Sequence, residues 1–131
     1  MTFREYQRDA YTNLKKHKDT KDEILDYCIS LSEEVGELNS LIKHHYYGGE
    51  YLDEENVAKE VGDVLWYLNS LCSILNINID TVAQLNIEKL KFRYDKEFSE
   101  DKSMRRFSNE LKFNETEVYN KLIDNLKLFK K

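Results

Sequence analysis

Apolar residues recur every three or four positions along most of the chain, the period of a helix with one buried face. Phe3, Tyr6, Ala10 and Leu14 make the first stripe, and the capping-box pattern of Thr2 with Glu5 opens it, predicting a helix to about His17. Thr20 and Glu23 repeat that start signal ahead of Leu25, Cys28, Leu31, Val35, Leu38 and Ile42, predicting a second helix to about His44. The segment from Tyr46 to Leu52 breaks the period and holds the pair Gly48-Gly49, so it reads as a loop. Asp53 is placed to cap a third helix carrying Val57, Val61, Val64, Leu65, Leu68, Leu71 and Leu75. Asn76 to Asn78 interrupt it, and Asp80 is placed to cap a fourth helix with Val82, Leu85, Leu90 and Tyr94. Phe98 to Phe113 is polar and irregular. Asn114 with Glu117 then opens a last helix through Val118, Leu122, Ile123, Leu126 and Phe129.

The pattern describes an all-α protein. Its second and third helices are the long ones, and the short loop between them predicts antiparallel neighbours in a helical bundle. Composition agrees: the chain has 131 residues, no Pro and 4 Gly, a balance that favours long helices within one domain. The net charge of −5 argues against a nucleic-acid binder that works by neutralising phosphates. An acidic protein that handles an anionic substrate needs compensating cations, and metal ions are the usual ones. Cys28 and Cys72 fall at apolar positions of the stripes and read as reduced core residues in a reducing compartment. No targeting or lipidation signal is visible, and no apolar run approaches the ~20 residues that span a bilayer. The expectation is a soluble, cytoplasmic protein with no membrane and no nucleic-acid partner.

One short repetition carries candidate chemistry. Glu34-Val35-Gly36-Glu37 lies on the second helix and Glu60-Val61-Gly62-Asp63 on the third. Residues three apart on a helix project from nearly one face, and Val35 and Val61 belong to the apolar stripes, so each acid pair flanks the core. In an antiparallel hairpin the two pairs meet as four carboxylates. Such a cluster repels itself unless its protons are retained or cations are recruited, and oxygen-only ligands suit Mg²⁺ or Mn²⁺. Gly36 and Gly62 each cost roughly 1 kcal/mol relative to Ala inside a helix. Close helix approach, or room for a ligand, would offset that cost. A single Glu-x-x-Glu is ordinary on a solvated helix face. Two on neighbouring helices, each enclosing a Gly, are less so. An iron-binding bundle is the other metal reading, although no Glu-x-x-His pair accompanies the acids. His44 and His45 read as exposed or loop-supporting.

Asn86, Lys89 and Arg93 recur at i, i+3 and i+7 on one face of the fourth helix, where a Lys and an Arg suit a phosphate tail or a solvated charged face. Tyr67 lies four residues after Asp63 on the third helix, on the side of the acids, and Lys43 lies near the end of the second helix. Trp66 fits the core or an oligomer interface, and Tyr46, Tyr47 and Tyr51 fit either closure over a substrate or loop packing.

Glu33-Glu34-Val35-Gly36-Glu37-Leu38 and Lys59-Glu60-Val61-Gly62-Asp63-Val64-Leu65-Trp66-Tyr67-Leu68 resemble the paired motifs of MazG-like pyrophosphohydrolases. Tyr47 to Asp53 is similar to that family's inter-helix loop, and Asn86 to Tyr94 to its Asn-x-x-Lys-x-x-x-Arg-Tyr segment. The similarity covers roughly Tyr6 to Arg106. It implies a MazG-like all-α domain over residues 1–106, with residues 107–131 as a C-terminal extension holding one amphipathic helix. It also implies homodimers or homotetramers and Mg²⁺-dependent cleavage of a nucleoside triphosphate or deoxynucleoside triphosphate to monophosphate and pyrophosphate, as in clearing the nucleotide pool. By matching positions, Glu34, Glu37, Glu60 and Asp63 are the expected metal ligands and Glu33 the expected general base. A phosphoribosyl-ATP pyrophosphohydrolase shares the same acid logic and is the rival enzyme. A non-catalytic helical module that binds a nucleotide or a partner is the rival of another class.

Overall fold

The computed structural model describes residues 1–14, 19–94 and 112–129. Its helices are α1 (Phe3–Tyr11), α2 (Thr20–Gly48), α3 (Glu54–Ile74), α4 (Ile79–Tyr94) and α5 (Glu117–Asp124). Among the described residues there is no strand, and Ile77 and Lys127 form an isolated antiparallel bridge. The all-α class is therefore as expected. Among these residues no helix is long and apolar enough to cross a membrane.

Several helix ends differ from expectation, and each difference is a choice among neighbouring capping groups. Asp19, not Thr20, starts α2, its carboxylate accepting from the Lys21 N–H at 2.8 Å. Asp53 caps α3 as expected, accepting from the N–H groups of Glu55 and Asn56. Asn78, not Asp80, caps α4, because its Oδ1 takes the Asp80 N–H at 3.1 Å. Thr116, not Asn114, caps α5 through the Tyr119 N–H at 3.2 Å.

α1 ends at Tyr11 in a turn through Asn13, and the expected continuation over residues 15–18 lies outside the described residues. α2 runs past His44 to Gly48, so Tyr46 and Tyr47 are helical rather than looped. It stops where Gly49 adopts φ 68°, a left-handed conformation that Gly adopts without strain, and donates its N–H to the His44 carbonyl. His45 Nδ1 lies 2.8 Å from the Glu50 carbonyl and supports the turn.

The chain divides into two compact units: Glu5–Leu75, and Met1–Arg4 with Asn76–Lys131. In the first, the buried apolar side chains among the described residues are Tyr27 and Ala10, and the rest of that buried set is polar: Gln7, Asn69, Ser70 and Ser73. Gln7 on α1 donates to Ser73 Oγ on α3 at 3.2 Å, and Ser73 donates in turn to the Asn69 carbonyl at 3.0 Å. The stripes predicted as core are only partly so. Leu25, Val35, Val61 and Leu68 are exposed, and Cys28, expected in the core, is exposed as well. One helical hairpin has too few neighbours to cover both sides of its own stripes. Both cysteines are free, and burial pushes the Cys72 thiol up.

In the second unit, Ile79 and Phe113 are buried, and Phe113 packs against Phe92 and Tyr119 with ring centroids 5.8 and 5.5 Å apart. The last helix was expected to carry Leu126 and Phe129, but α5 ends at Asp124 and the tail beyond it pairs with the α3–α4 connection. The Asn78 N–H donates to the Leu126 carbonyl at 2.8 Å, and the Leu128 N–H donates to the Asn76 carbonyl at 3.1 Å. Asn76, at φ 57°, adds a two-way side-chain bond to the Phe129 backbone, at 3.1 and 2.7 Å. An Asn tolerates that left-handed geometry better than most residues. Of the expected irregular stretch, residues 98–111 lie outside the described residues, as does the 106/107 boundary, and residues 112–114 form a helical turn.

Candidate metal centre

Glu34 and Glu37 sit three residues apart on α2, and Glu60 sits on α3 of the same unit. One carboxylate oxygen from each lies within 4.8 Å of the other two. The contacts of the two helices run in opposite order. Tyr27 on α2 meets Trp66 and Tyr67 on α3, at centroid distances of 5.7 and 5.8 Å, while Glu34 and Glu37 meet the earlier Glu60. Seven residues separate Tyr27 from Glu34, so the aromatic group lies two turns, roughly 10 Å, along the helix from the acids.

The electrostatics mark Glu34 as the strained member. Partial burial, then the neighbouring carboxylates of Glu37, Asp63, Glu60 and Glu33, push its carboxyl above the ordinary range. Glu60 is half-buried, and its Oε2 is enclosed without a hydrogen-bond partner. A buried carboxylate oxygen without a donor is costly, and a hard cation is the chemical partner that a set of carboxylate oxygens fits. These residues therefore suit a divalent metal ion.

Asp63, expected as the fourth ligand, is not in the trio. It is exposed, and its charge acts on Glu34 and on Tyr6 of α1. Burial first, and then Asp63, raise the Tyr6 hydroxyl above its usual value. Glu33 is exposed beside the cluster, and Lys43 is exposed further along α2. Tyr67 is half-buried, its ring already engaged edge-on by Trp66 at 5.0 Å.

Neither Gly36 nor Gly62 sits at a close helix approach, because a Cβ built on either meets nothing within 4 Å. That explanation for the two glycines fails within the chain. Val35 and Val61, read as core positions flanking the acids, face outward for the same reason that the hairpin's outer stripe is uncovered. Asn86, Lys89 and Arg93 share α4, in the other unit. Asn86 is exposed, Lys89 half-buried and Arg93 buried, with the Arg93 guanidinium 5.8 Å from the Tyr94 ring centroid.

Three residues escaped sequence reasoning. Tyr27 lies seven residues before Glu34, a spacing that puts the two on one helical face and was legible. Tyr6 stands in the sequence only as a member of an apolar stripe. Asn69 is 0% exposed with neither amide atom partnered, and no local pattern marks it.

An all-α protein with carboxylates converging from two helices of one hairpin defines the class. Residues 22–98 match the family model of the MazG nucleotide pyrophosphohydrolase domain, and the chain belongs to that family. Gene 37 protein of Mycobacterium phage L5 is 36% identical over 44 residues, which are 34% of this chain. The matched stretch spans 39% of that phage protein. No solved structure matches the chain.

Proposed function

We propose that the chain hydrolyses a nucleoside or deoxynucleoside triphosphate between the α and β phosphates, so that one water and the triphosphate give the monophosphate and pyrophosphate. The observation that carries this reading is the meeting of Glu34, Glu37 and Glu60, with one enclosed Glu60 oxygen lacking any donor. Glu34, Glu37 and Glu60, with Asp63 beside them, would hold Mg²⁺ or Mn²⁺. A divalent cation there supplies neutralisation of the phosphate charge and a more acidic water.

Glu33 is assigned the water's proton, as an exposed carboxylate next to the cluster. Lys43 is assigned the phosphate tail and Tyr67 the nucleobase, both from the unit that carries the acids. Residues 1–106 form the catalytic domain in this reading, and 107–131 an extension. The exposed apolar side chains of α2 and α3 support a homodimer or homotetramer. The setting is cytoplasmic.

The test is product analysis by HPLC over a panel of nucleoside and deoxynucleoside triphosphates, with Mg²⁺ or EDTA, for the wild type and Glu37→Ala. Metal-dependent release of monophosphate with pyrophosphate, reduced at least ~100-fold in the variant, is expected. Release of a diphosphate, or of orthophosphate alone, overturns the cleavage site. Turnover of phosphoribosyl-ATP and of no other substrate overturns the substrate class.

A further inference from the structure

A polar cavity lies in the unit of Met1–Arg4 and Asn76–Lys131, and its lining shares no residue with the acidic cluster. Its volume is about 410 Å³. Three stretches distant in sequence build it: Arg4 from α1, Asn78 to Gln84 around the start of α4, and Asn125 to Leu128 from the tail. The walls are held in place. The Thr81 hydroxyl donates to the Asn125 carbonyl at 3.1 Å, and the backbone bonds of Leu126 and Leu128 to residues 78 and 76 fix Lys127 between them.

Charge gives the cavity its chemistry. Arg4 and Lys127 are its two cations, and among the described residues neither side chain has an ion-pair or hydrogen-bond partner. In a chain of net charge −5, two unpaired cations at one cavity stand out against the bulk. The one acid in the lining, Asp80, is engaged by Gln84 Nε2 at 3.1 Å. The carboxamides are half used. Asn78 Oδ1 holds the Asp80 N–H and Asn125 Nδ2 holds the Lys121 carbonyl, which leaves Asn78 Nδ2, Asn125 Oδ1 and Gln84 Oε1 to read donors and acceptors.

Two cations suit a phosphate monoester, and spare amide groups suit a polar, planar body. The volume is at the small end of ligand sites and fits a mononucleotide.

We infer that this cavity binds a nucleoside monophosphate, with Arg4 and Lys127 on the phosphate and the carboxamides of Asn78, Gln84 and Asn125 on the base or sugar. The inference does not depend on the proposed reaction. It assigns a binding site, whichever reaction the acidic cluster performs.

The test uses the full chain in EDTA, so that no metal bridges phosphates to the acidic cluster. Four nucleoside monophosphates and inorganic phosphate are titrated by calorimetry and by amide chemical-shift mapping. Saturable binding of at least one nucleoside monophosphate is expected, with shifts concentrated at residues 78–84 and 125–128. Arg4→Gln with Lys127→Gln should weaken it about tenfold or more. Lys121→Gln, a control outside the lining, should leave it unchanged. Shift mapping on the wild type stands independently of how well the double variant folds. Absence of saturable binding overturns the inference, as do shifts centred on the acidic cluster or binding indifferent to the double variant. Inorganic phosphate binding as tightly as every nucleoside monophosphate overturns the role given to the carboxamides.

Discussion

Glu34 concentrates the conflict in the acidic cluster, and its raised pKa has a definite consequence for stability. The folded chain holds that proton more tightly than the unfolded chain does, so stability present at low pH is lost as pH rises from the ordinary carboxyl range through the raised value. Gln cannot ionise and has no such loss. In EDTA, Glu34→Gln should therefore unfold at a higher temperature than wild type at pH 7, and the gap should close as the pH falls below the ordinary carboxyl range. Adding Mg²⁺ should reverse the order by stabilising the wild type alone. Thermal scans across pH, with and without metal, decide the matter; a variant less stable than wild type in EDTA at pH 7 contradicts it. The acid types and spacing at this site were legible in two tetrapeptides. That Glu34 rather than Asp63 is the most perturbed acid follows from burial, which no spacing encodes.

Helix ends and helix glycines behave as local chemistry dictates, and two substitutions test that. Gly36 has open space where a Cβ would stand, so Gly36→Ala should raise the stability of the metal-free monomer by about 1 kcal/mol, measured by urea unfolding. Asn76 ties the tail to the α3–α4 connection through both ends of its amide. Asn76→Ala should cost about 1–3 kcal/mol in that unit, and amide hydrogen exchange should quicken at Leu128 and Phe129. Unchanged protection there would show that the backbone pairs alone hold the tail. The break at Asn76 to Asn78 and the Asp53 cap were readable in the sequence. The competition of Asp19 with Thr20, of Asn78 with Asp80, and of Thr116 with Asn114 was not, since each pair offers similar oxygens one or two residues apart.

Among the described residues of the Glu5–Leu75 unit, Ala10 and Tyr27 are the fully buried apolar side chains, and Ile29 and Leu25 stand 69% and 50% exposed on one side of α2 beside Cys28. If those side chains are covered in a homodimer, Ile29→Glu should shift the population toward monomer in sedimentation at equal concentration. Cys28 would report the same event. Its exposed thiol should react quickly with a disulfide reagent in the Ile29→Glu variant and slowly in the assembled wild type, while Cys72, with its thiol pushed up by burial, stays slow in both. Equal masses and equal Cys28 rates would remove α2 from any interface.

Periodicity placed the helices, and the repeated tetrapeptides placed the acids. Both are short-range properties, set by the 3.6-residue turn and by side-chain chemistry within a few residues. The α3–α4 break and the Asp53 cap belong to the same class. Long-range packing settled the rest. It turned the tail after Asp124 away from α5 to bond Asn76 and Asn78, because those backbone groups, sequence-distant from the tail, offered partners that a helical pattern does not announce. It left Val35, Val61 and Cys28 exposed, because a stripe is buried only where a neighbour covers it. It enclosed Asn69 without a partner, and it brought Arg4 and Lys127 to one cavity from opposite ends of the chain. An apolar face or a lone cation has its chemistry written in the residue, but what meets it depends on chain segments tens of residues away.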